Sequence, residues 1–420
     1  MKPQYAGAIS WLLITQVAAA PAHMDGRDPS VTLFIGNSDV STSVFSSAQS
    51  SPSATEPLST PITNGLVSSL YYSNTSAGNT DIDLEAKVGT DLPDAAGTIN
   101  VYGRVRQINL VKRANRHIKV LLSLGGSGAS ENLALAASTE ASREQFATTA
   151  VQLVTDWGFD GVDIDWEFVT TEADRANVVL LLKATRQAFD DYATQNAPGY
   201  HFLITYACPA GAQNYQLLDM ARMDPYIDTW NLMAYDYSGS WSEAATFHSN
   251  LYGEPAVDTA ISTDDVIAYY LSQGIAPAKL HMGLPLYGHV FEGTQGLGYP
   301  FSGVGPGEDG QAGFWIYKDL PKAGAVESTD TTAVAAWSYD STTKELIAYD
   351  SPESAQLKAN YIQEKGLGGA FFWEANQDHT DSRSLVCVVA ESFSSLDSAL
   401  NLIDYPTSKY DNIRMSAQSG

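Results

Sequence analysis

The sequence predicts an α/β fold, a (β/α)8 (TIM) barrel, on three observations. Short runs are continuously apolar rather than alternating, helical patterns separate them, and one gap before the last run is abnormally long. The runs are VTLFIGN (31–37), GLVSSLYYS (65–73), IKVLLSLGG (118–126), FDGVDIDWE (159–167), FLITYACP (202–209), TWNLMAYD (229–236), MGLPLYG (282–288) and GGAFFWE (368–374). Continuous apolarity suits parallel strands covered on both faces. Between them, Phe146, Ala150, Leu153, Val154 and Trp157 fall on one helical face, and Gly158 supplies a left-handed stop. Thr263 with Asp264 and Asp265 opens a further helix that closes at Gly274, the acids lying where the helix dipole favours them. In the long gap between the seventh and eighth strands, WSYDSTTKELIAYD (337–350) reads as a hairpin around a polar turn. A small α+β subdomain inserted at about 289–355 is therefore expected.

The 420 residues carry 48 acids and 23 Lys or Arg, for a formal charge of −25. A nucleic-acid partner is excluded, since neutralising phosphates takes a surplus of cations. Two cysteines, Cys208 and Cys387, permit at most one bridge and rule out both a disulfide scaffold and a four-cysteine zinc site. Cys208, inside an apolar run, reads as a small buried hydrophobe. The histidines are scattered without HExxH spacing, so neither a catalytic metal nor another cofactor is expected.

Residues 1–22 have Lys2, an apolar stretch from Tyr5 to about Ala20 and small residues at Ala18, Ala20 and Ala22, the layout of a secretory signal peptide. With no second apolar run of about 18 residues, a secreted, extracellular protein without a membrane partner is expected, acting as a monomer. Asn74, Thr75 and Ser76 form a glycosylation acceptor consistent with export. Residues 38–64 are rich in Ser, Thr and Pro and read as a loop within a catalytic region spanning 23–412; residues 413–420 read as a polar tail.

The chemistry concentrates in FDGVDIDWE. Alternation along a strand puts Asp163, Asp165 and Glu167 on one face and Val162, Ile164 and Trp166 on the other. In a parallel barrel the carboxylates then point toward the axis, where like charges cannot all ionise, so at least one pKa rises and protons are shared. Apolar side chains would fill that interior at lower cost, so the row marks a functional site. A calcium loop would instead want Gly and Asn at turn spacing.

This segment resembles the DxxDxDxE signature of glycoside hydrolase family 18, the chitinases. SLGG (123–126) resembles the family's SxGG strand, NLMAYDY (231–237) its MxYD strand and GGAFFWE (368–374) its last barrel strand. LPLYG (284–288) and the stretch ending near GFWIYKDLP (313–321) resemble its inserted subdomain. The similarity runs from about Asn100 to Asn412 and is greatest to secreted fungal endochitinases.

The resemblance implies hydrolysis of β-1,4 N-acetylglucosamine polymers, chitin and chitooligosaccharides, by the retaining, substrate-assisted route in which the acetamido oxygen is the nucleophile. It implies Glu167 as general acid and then base, and Asp165 as acceptor of the acetamido N–H. Asp163 would share a proton with Asp165, and Tyr235 would donate its hydroxyl to the acetamido oxygen. Asp236 would border the same subsite, Met233 would pack beneath the sugar, and Trp373 would be its apolar floor. Gly125 and Gly126 would permit a tight turn near substrate. Tyr287 either lines the cleft or serves packing, and Tyr72 joins the substrate-binding residues.

The pattern departs from the family in places. VTLFIGN ends in Ile35, Gly36 and Asn37 where an aromatic and an Asn-Trp pair are usual. Ser127, Phe168 and His289 stand where Trp, Tyr and Arg are common, which implies weaker grip in outer subsites with the chemistry intact. The same catalytic strand serves endo-β-N-acetylglucosaminidases acting on N-glycans, and a chitin-binding lectin is the alternative of a different class, although lectins on this barrel typically lose the glutamate present here as Glu167.

Overall fold

The structure, a computed structural model, describes residues 31–35, 65–72, 97–127, 129–257, 259, 261–308 and 311–414. The expected signal peptide, the 38–64 loop, the Asn74 acceptor and the tail beyond Arg414 lie outside the described residues; Asp411–Arg414 form a short helix with Ile413 buried.

Thirteen strands are present among the described residues: β1 (Val31–Ile35), β2 (Val67–Tyr72), β3 (Lys119–Gly125), β4 (Gly161–Asp165), β5 (Leu203–Pro209), β6 (Thr229–Met233), β7 (Leu280–Pro285), β8 (Tyr287–Glu292), β9 (Phe314–Ile316), β10 (Val326–Asp330), β11 (Ala335–Asp340), β12 (Glu345–Tyr349) and β13 (Gly369–Trp373). Eight of them close a barrel in the order β1-β2-β13-β7-β6-β5-β4-β3. The seven strands from β2 round to β3 are parallel.

β1 corrects the expectation of eight parallel strands: it runs antiparallel to both β2 and β3. Apolar continuity marks a strand but carries no direction. A parallel return needs a crossover, usually a helix, and the Ser/Thr/Pro-rich residues after β1 have no helical period. In either direction β1 pairs the edges that β2 and β3 would otherwise leave open.

The longer helices are α1 (Gly103–Ala114), α2 (Ser130–Ala137), α3 (Glu140–Trp157), α4 (Glu172–Asn196), α5 (Thr263–Ser272), α6 (Pro352–Lys365) and α7 (Leu385–Ser392). Hydroxyl caps start five of them: Thr139, Thr171, Ser262, Ser351 and Ser384 each accept the backbone N–H three residues on. The α5 cap is Ser262, one residue before the expected start. Gly158, at φ 72°, ends α3 as the sequence requires. No helix among the described residues is long and apolar enough to cross a membrane.

The core lies between barrel and helices. Val162, Ile164 and Trp166 are fully buried there, with Val120, Leu122 and Leu124 of β3 beside them. MGLPLYG, read as one strand, is divided: β7 ends at Pro285, and Tyr287 opens β8 in a separate antiparallel sheet of order β10-β11-β12-β8-β9. Its β11 and β12 form the hairpin expected around the polar turn.

At the other end of β4 sits Asp160, the first acid of the signature. It is fully buried and bonded to Lys112 Nζ of α1 (2.9 Å), the Tyr200 hydroxyl (2.7 Å), and the backbone N–H groups of Val120 (2.8 Å) and Leu402 (3.1 Å). These bonds tie α1, β3, β4 and the C-terminal segment together far from the strand end that carries Glu167.

Candidate active site

Strand register builds the site. In the parallel ladder Ser123 of β3 stands beside Asp163 of β4, which stands beside Thr205 of β5, so three polar side chains share one level of the barrel interior. Asp163 is fully buried and accepts four hydrogen bonds: from the Ser123 (2.8 Å) and Tyr71 (2.9 Å) hydroxyls on Oδ2, and from Thr205 Oγ1 (2.5 Å) and Asn231 Nδ2 (3.4 Å) on Oδ1. Those donors come from β3, β2, β5 and β6. Burial raises the Asp163 pKa, and the four bonds oppose it.

Asp165, one level up, is also buried, and its Oδ1 has no hydrogen-bond partner among the described residues. Burial, then the charges of Glu167 and Asp163, push its carboxyl well above the carboxylate range. Glu167 follows the strand's end, half-buried, and burial and the charge of Asp236 push it up to about 7. Its carbonyl accepts the Ser130 hydroxyl from α2. Gly125 is required here: at φ 125°, a Cβ would lie 2.0 Å from the Asp165 carbonyl oxygen. The Gly126 N–H donates to that same oxygen at 2.7 Å. Both glycines thus bind β3 tightly to the acidic strand.

Tyr235 follows β6, half-buried, its ring edge-on to Tyr287 and Phe371 at 6.1 and 6.2 Å. Burial and the charge of Asp236 raise its hydroxyl pKa far above the ordinary value, so it remains a donor. Gly283 of β7 leaves room for this ring: a Cβ there would come within 2.8 Å of Tyr235 and 2.6 Å of Phe371. Asp236, at φ 60°, turns the chain in the left-handed region. Its Oδ1 accepts from the Tyr287 hydroxyl (2.5 Å) and meets His289 Nε2 (2.8 Å). Burial pushes this carboxyl up, but the bond and charge of His289, the charge of His248 and the Tyr287 hydroxyl outweigh it, so it sits below its usual range.

Tyr287, buried and stacked on Phe314 at 4.6 Å, therefore packs and donates to the site at once. Met233 ends β6 half-buried. Trp373 ends β13 half-buried, 5.5 Å from the Tyr71 ring. Tyr72 closes β2, and its side chain lies outside the described residues.

Sequence reasoning missed Tyr71, Thr205, Asn231, Gly283 and His248. Alternation along β2 and β5 marks which residues face the axis, but their contact with Asp163 depends on register, which apolar runs do not carry. His289, standing where Arg is common, bonds to Asp236. Cys208 is buried as expected, and both cysteines are free.

A barrel with a buried carboxylate row, a glutamate at its end whose carboxyl burial and Asp236 push up to about 7, and a tyrosine within reach of its charge fits a glycoside hydrolase. Residues 14–378 match Glycosyl hydrolases family 18, and the chain belongs to that family. It is 44% identical over 358 residues to "Endochitinase 1" of Metarhizium robertsii, covering 84% of each chain. It is 44% identical to "Chitinase 1" of Aphanocladium album over 340 residues, 80% of each. Among solved structures it resembles the catalytic domain of psychrophilic chitinase B from Arthrobacter TAD20, with TM-score 0.64, 28% identity, and 70% of this chain and 74% of that one covered. It also resembles a class V chitinase from Nicotiana tobaccum in complex with NAG4, with TM-score 0.63, 26% identity, and 69% and 84% covered.

Proposed function

We propose that this protein is a secreted chitinase. It hydrolyses β-1,4 bonds between N-acetylglucosamine units of chitin and chitooligosaccharides with retention, through an oxazolinium ion formed by the substrate's own acetamido group. The names of its fungal relatives and its family support the substrate class.

The observation that carries the mechanism is the asymmetry of the two aspartates. Asp163 accepts four hydrogen bonds, whereas Asp165 Oδ1 accepts none. A charge is best held where donors surround it, so Asp163 carries the charge and Asp165 the shared proton. When that proton passes to Asp163, Asp165 becomes a carboxylate and accepts the acetamido N–H. It gains strength as positive charge develops on that group.

Glu167, still protonated near neutrality, gives its proton to the leaving oxygen while the acetamido oxygen attacks the anomeric carbon. Glu167 then takes a proton from the water that opens the ring. Tyr235 donates to the acetamido oxygen and holds it for attack. Trp373 is the floor on which the pyranose C–H face lies, Met233 packs beneath, and Asp236 borders the subsite. The sheet of β8 to β12 corresponds to the family's inserted subdomain and deepens the cleft for a long polymer, which favours chitin over N-glycans.

The test offers the purified protein, and Glu167→Gln, a chitooligosaccharide and separately an N-glycoprotein. Cleavage of the oligosaccharide by the parent alone is expected, with a thiazoline mimic of the oxazolinium inhibiting. Binding without cleavage by the parent, or cleavage only of the glycoprotein, would overturn the reading.

A further inference from the structure

Three segments meet beside Tyr235. Asp236 follows β6, His248 lies in the loop after it, and His289 is on β8. One ligating atom from each lies within 4.8 Å of the other two. Asp236 Oδ1 is 2.8 Å from His289 Nε2 and 4.0 Å from His248 Nδ1, and the imidazole rings cross at 89° with centroids 4.9 Å apart. Both histidines are buried, whereas the Asp236 side chain is 49% exposed and opens the group toward solvent.

The second observation concerns His248. Its side chain is 1% exposed, and neither ring nitrogen has a hydrogen-bond partner among the described residues. Buried polar atoms are ordinarily satisfied, and an orphaned imidazole set beside a carboxylate and a second imidazole that already bond each other lacks only a partner the three could share. The loop is also held in place. The backbone carbonyl of His248 accepts the Tyr237 N–H at 3.1 Å. The neighbouring Ser249 carbonyl accepts from buried Lys358 at 2.6 Å, and Lys358 is itself paired with Asp350 at 2.6 Å. Such fixed ligands cost little to organise.

We propose that Asp236, His248 and His289 form a binding site for a divalent first-row transition ion, the Zn2+ class, at the edge of the sugar subsite that Asp236 borders. Two imidazoles and one carboxylate suit borderline ions such as Zn2+, Co2+ and Cu2+ rather than Mg2+ or Ca2+, which want oxygen ligands. Ligands about 2.0–2.2 Å from one ion lie roughly 3.4 Å from each other, so on binding His248 moves toward Asp236 and the Asp236–His289 hydrogen bond opens. A bound ion takes Asp236 Oδ1 from the Tyr287 hydroxyl and places a cation beside Tyr235 at the cleft mouth. The fourth position is open to water or a sugar oxygen. Sequence spacing could not reveal this set, because its members lie on three separate segments.

The test titrates chelator-treated protein with Co2+ in excess Mg2+ and 0.5 M NaCl, so that diffuse attraction to the acidic surface is suppressed. Binding is read from the visible absorption of nitrogen-ligated Co2+ and by calorimetry, so the result does not depend on any substrate. One equivalent should bind, be displaced by Zn2+, and bind at least tenfold more weakly to His289→Arg and His248→Gln. His289→Arg keeps the test decisive where His248→Gln does not fold, since it places a cation against Asp236. No stoichiometric binding by the parent, or undiminished binding by His289→Arg, would overturn the proposal.

Discussion

The hydroxyl of Tyr71 on β2 donates to Asp163 Oδ2 on β4 at 2.9 Å, although the two strands are not neighbours in the barrel. The same hydroxyl accepts from Asn231 Nδ2 at 3.2 Å, so a single tyrosine spans the barrel interior between β2, β4 and β6. Burial and the charges of Asp163 and Asp165 keep the phenol protonated, hence always a donor.

Removing that donor should loosen the hold on the Asp163 charge without emptying the barrel. Hydrogen bonds to charged groups contribute about 1.5–3 kcal/mol, and three donors remain in Tyr71→Phe. The expected result is a kcat on chitooligosaccharide lowered about tenfold or more, with KM little changed. An unchanged kcat in a folded variant would mean that Asp163 does not hold charge in the cycle.

Glu167 sets the pH behaviour. Its carboxyl is pushed up to about 7, first by burial and then by Asp236. In its proposed role as general acid it would work while protonated, so kcat/KM should fall as pH rises through about 7. The linkage has the same direction. The folded state holds a proton that the unfolded glutamate releases near its ordinary pKa, so this group's stabilisation is complete at acid pH and is lost as pH rises toward 7. In Glu167→Gln the hydrolytic limb disappears with the activity, and melting temperature should depend less on pH between about 4.5 and 7. A parent rate that stays flat through pH 8 would remove Glu167 from the acid's role.

The acidic row was legible because period-two alternation and the cost of buried charge both reside in one short segment, Asp163 to Glu167. The partners of Asp163 were not legible, because Ser123, Thr205, Asn231 and Tyr71 meet it through register across four strands. Seven strands were readable from apolar continuity. β1 was readable as a strand but not in direction, since a lone apolar run fits an open edge either way up. The division at Leu286 was hidden for the opposite reason: apolar residues continue from β7 into β8 while the chain changes sheets.

The first acid of the signature is expected to matter for stability rather than chemistry. Asp160 and Lys112 are both fully buried and paired at 2.9 Å, and burial lowers Lys112 to about 8 even with its partner present. Asp160→Ala leaves that ammonium uncompensated, at an expected loss of about 3–5 kcal/mol in denaturant unfolding. Where the variant remains folded, kcat should stay near that of the parent. A fall in kcat comparable to that of Glu167→Gln, at unchanged stability, would place Asp160 in the reaction.

Gly283 supplies the sharpest steric test of Tyr235. It has no side chain because the Tyr235 and Phe371 rings and the Leu232 carbonyl oxygen, 2.6 Å from an added Cβ, already fill the space. In Gly283→Ala the backbone oxygen cannot yield, so the rings must shift. Overpacking of this kind costs about 1–3 kcal/mol. Because the Tyr235 ring takes up the displacement, the loss should appear mainly in kcat, about tenfold or more, and Phe371→Leu in the same chain should restore part of it by freeing the space. If Gly283→Ala lowered melting temperature alone and left kcat intact, the position of Tyr235 would not be what the reaction depends on.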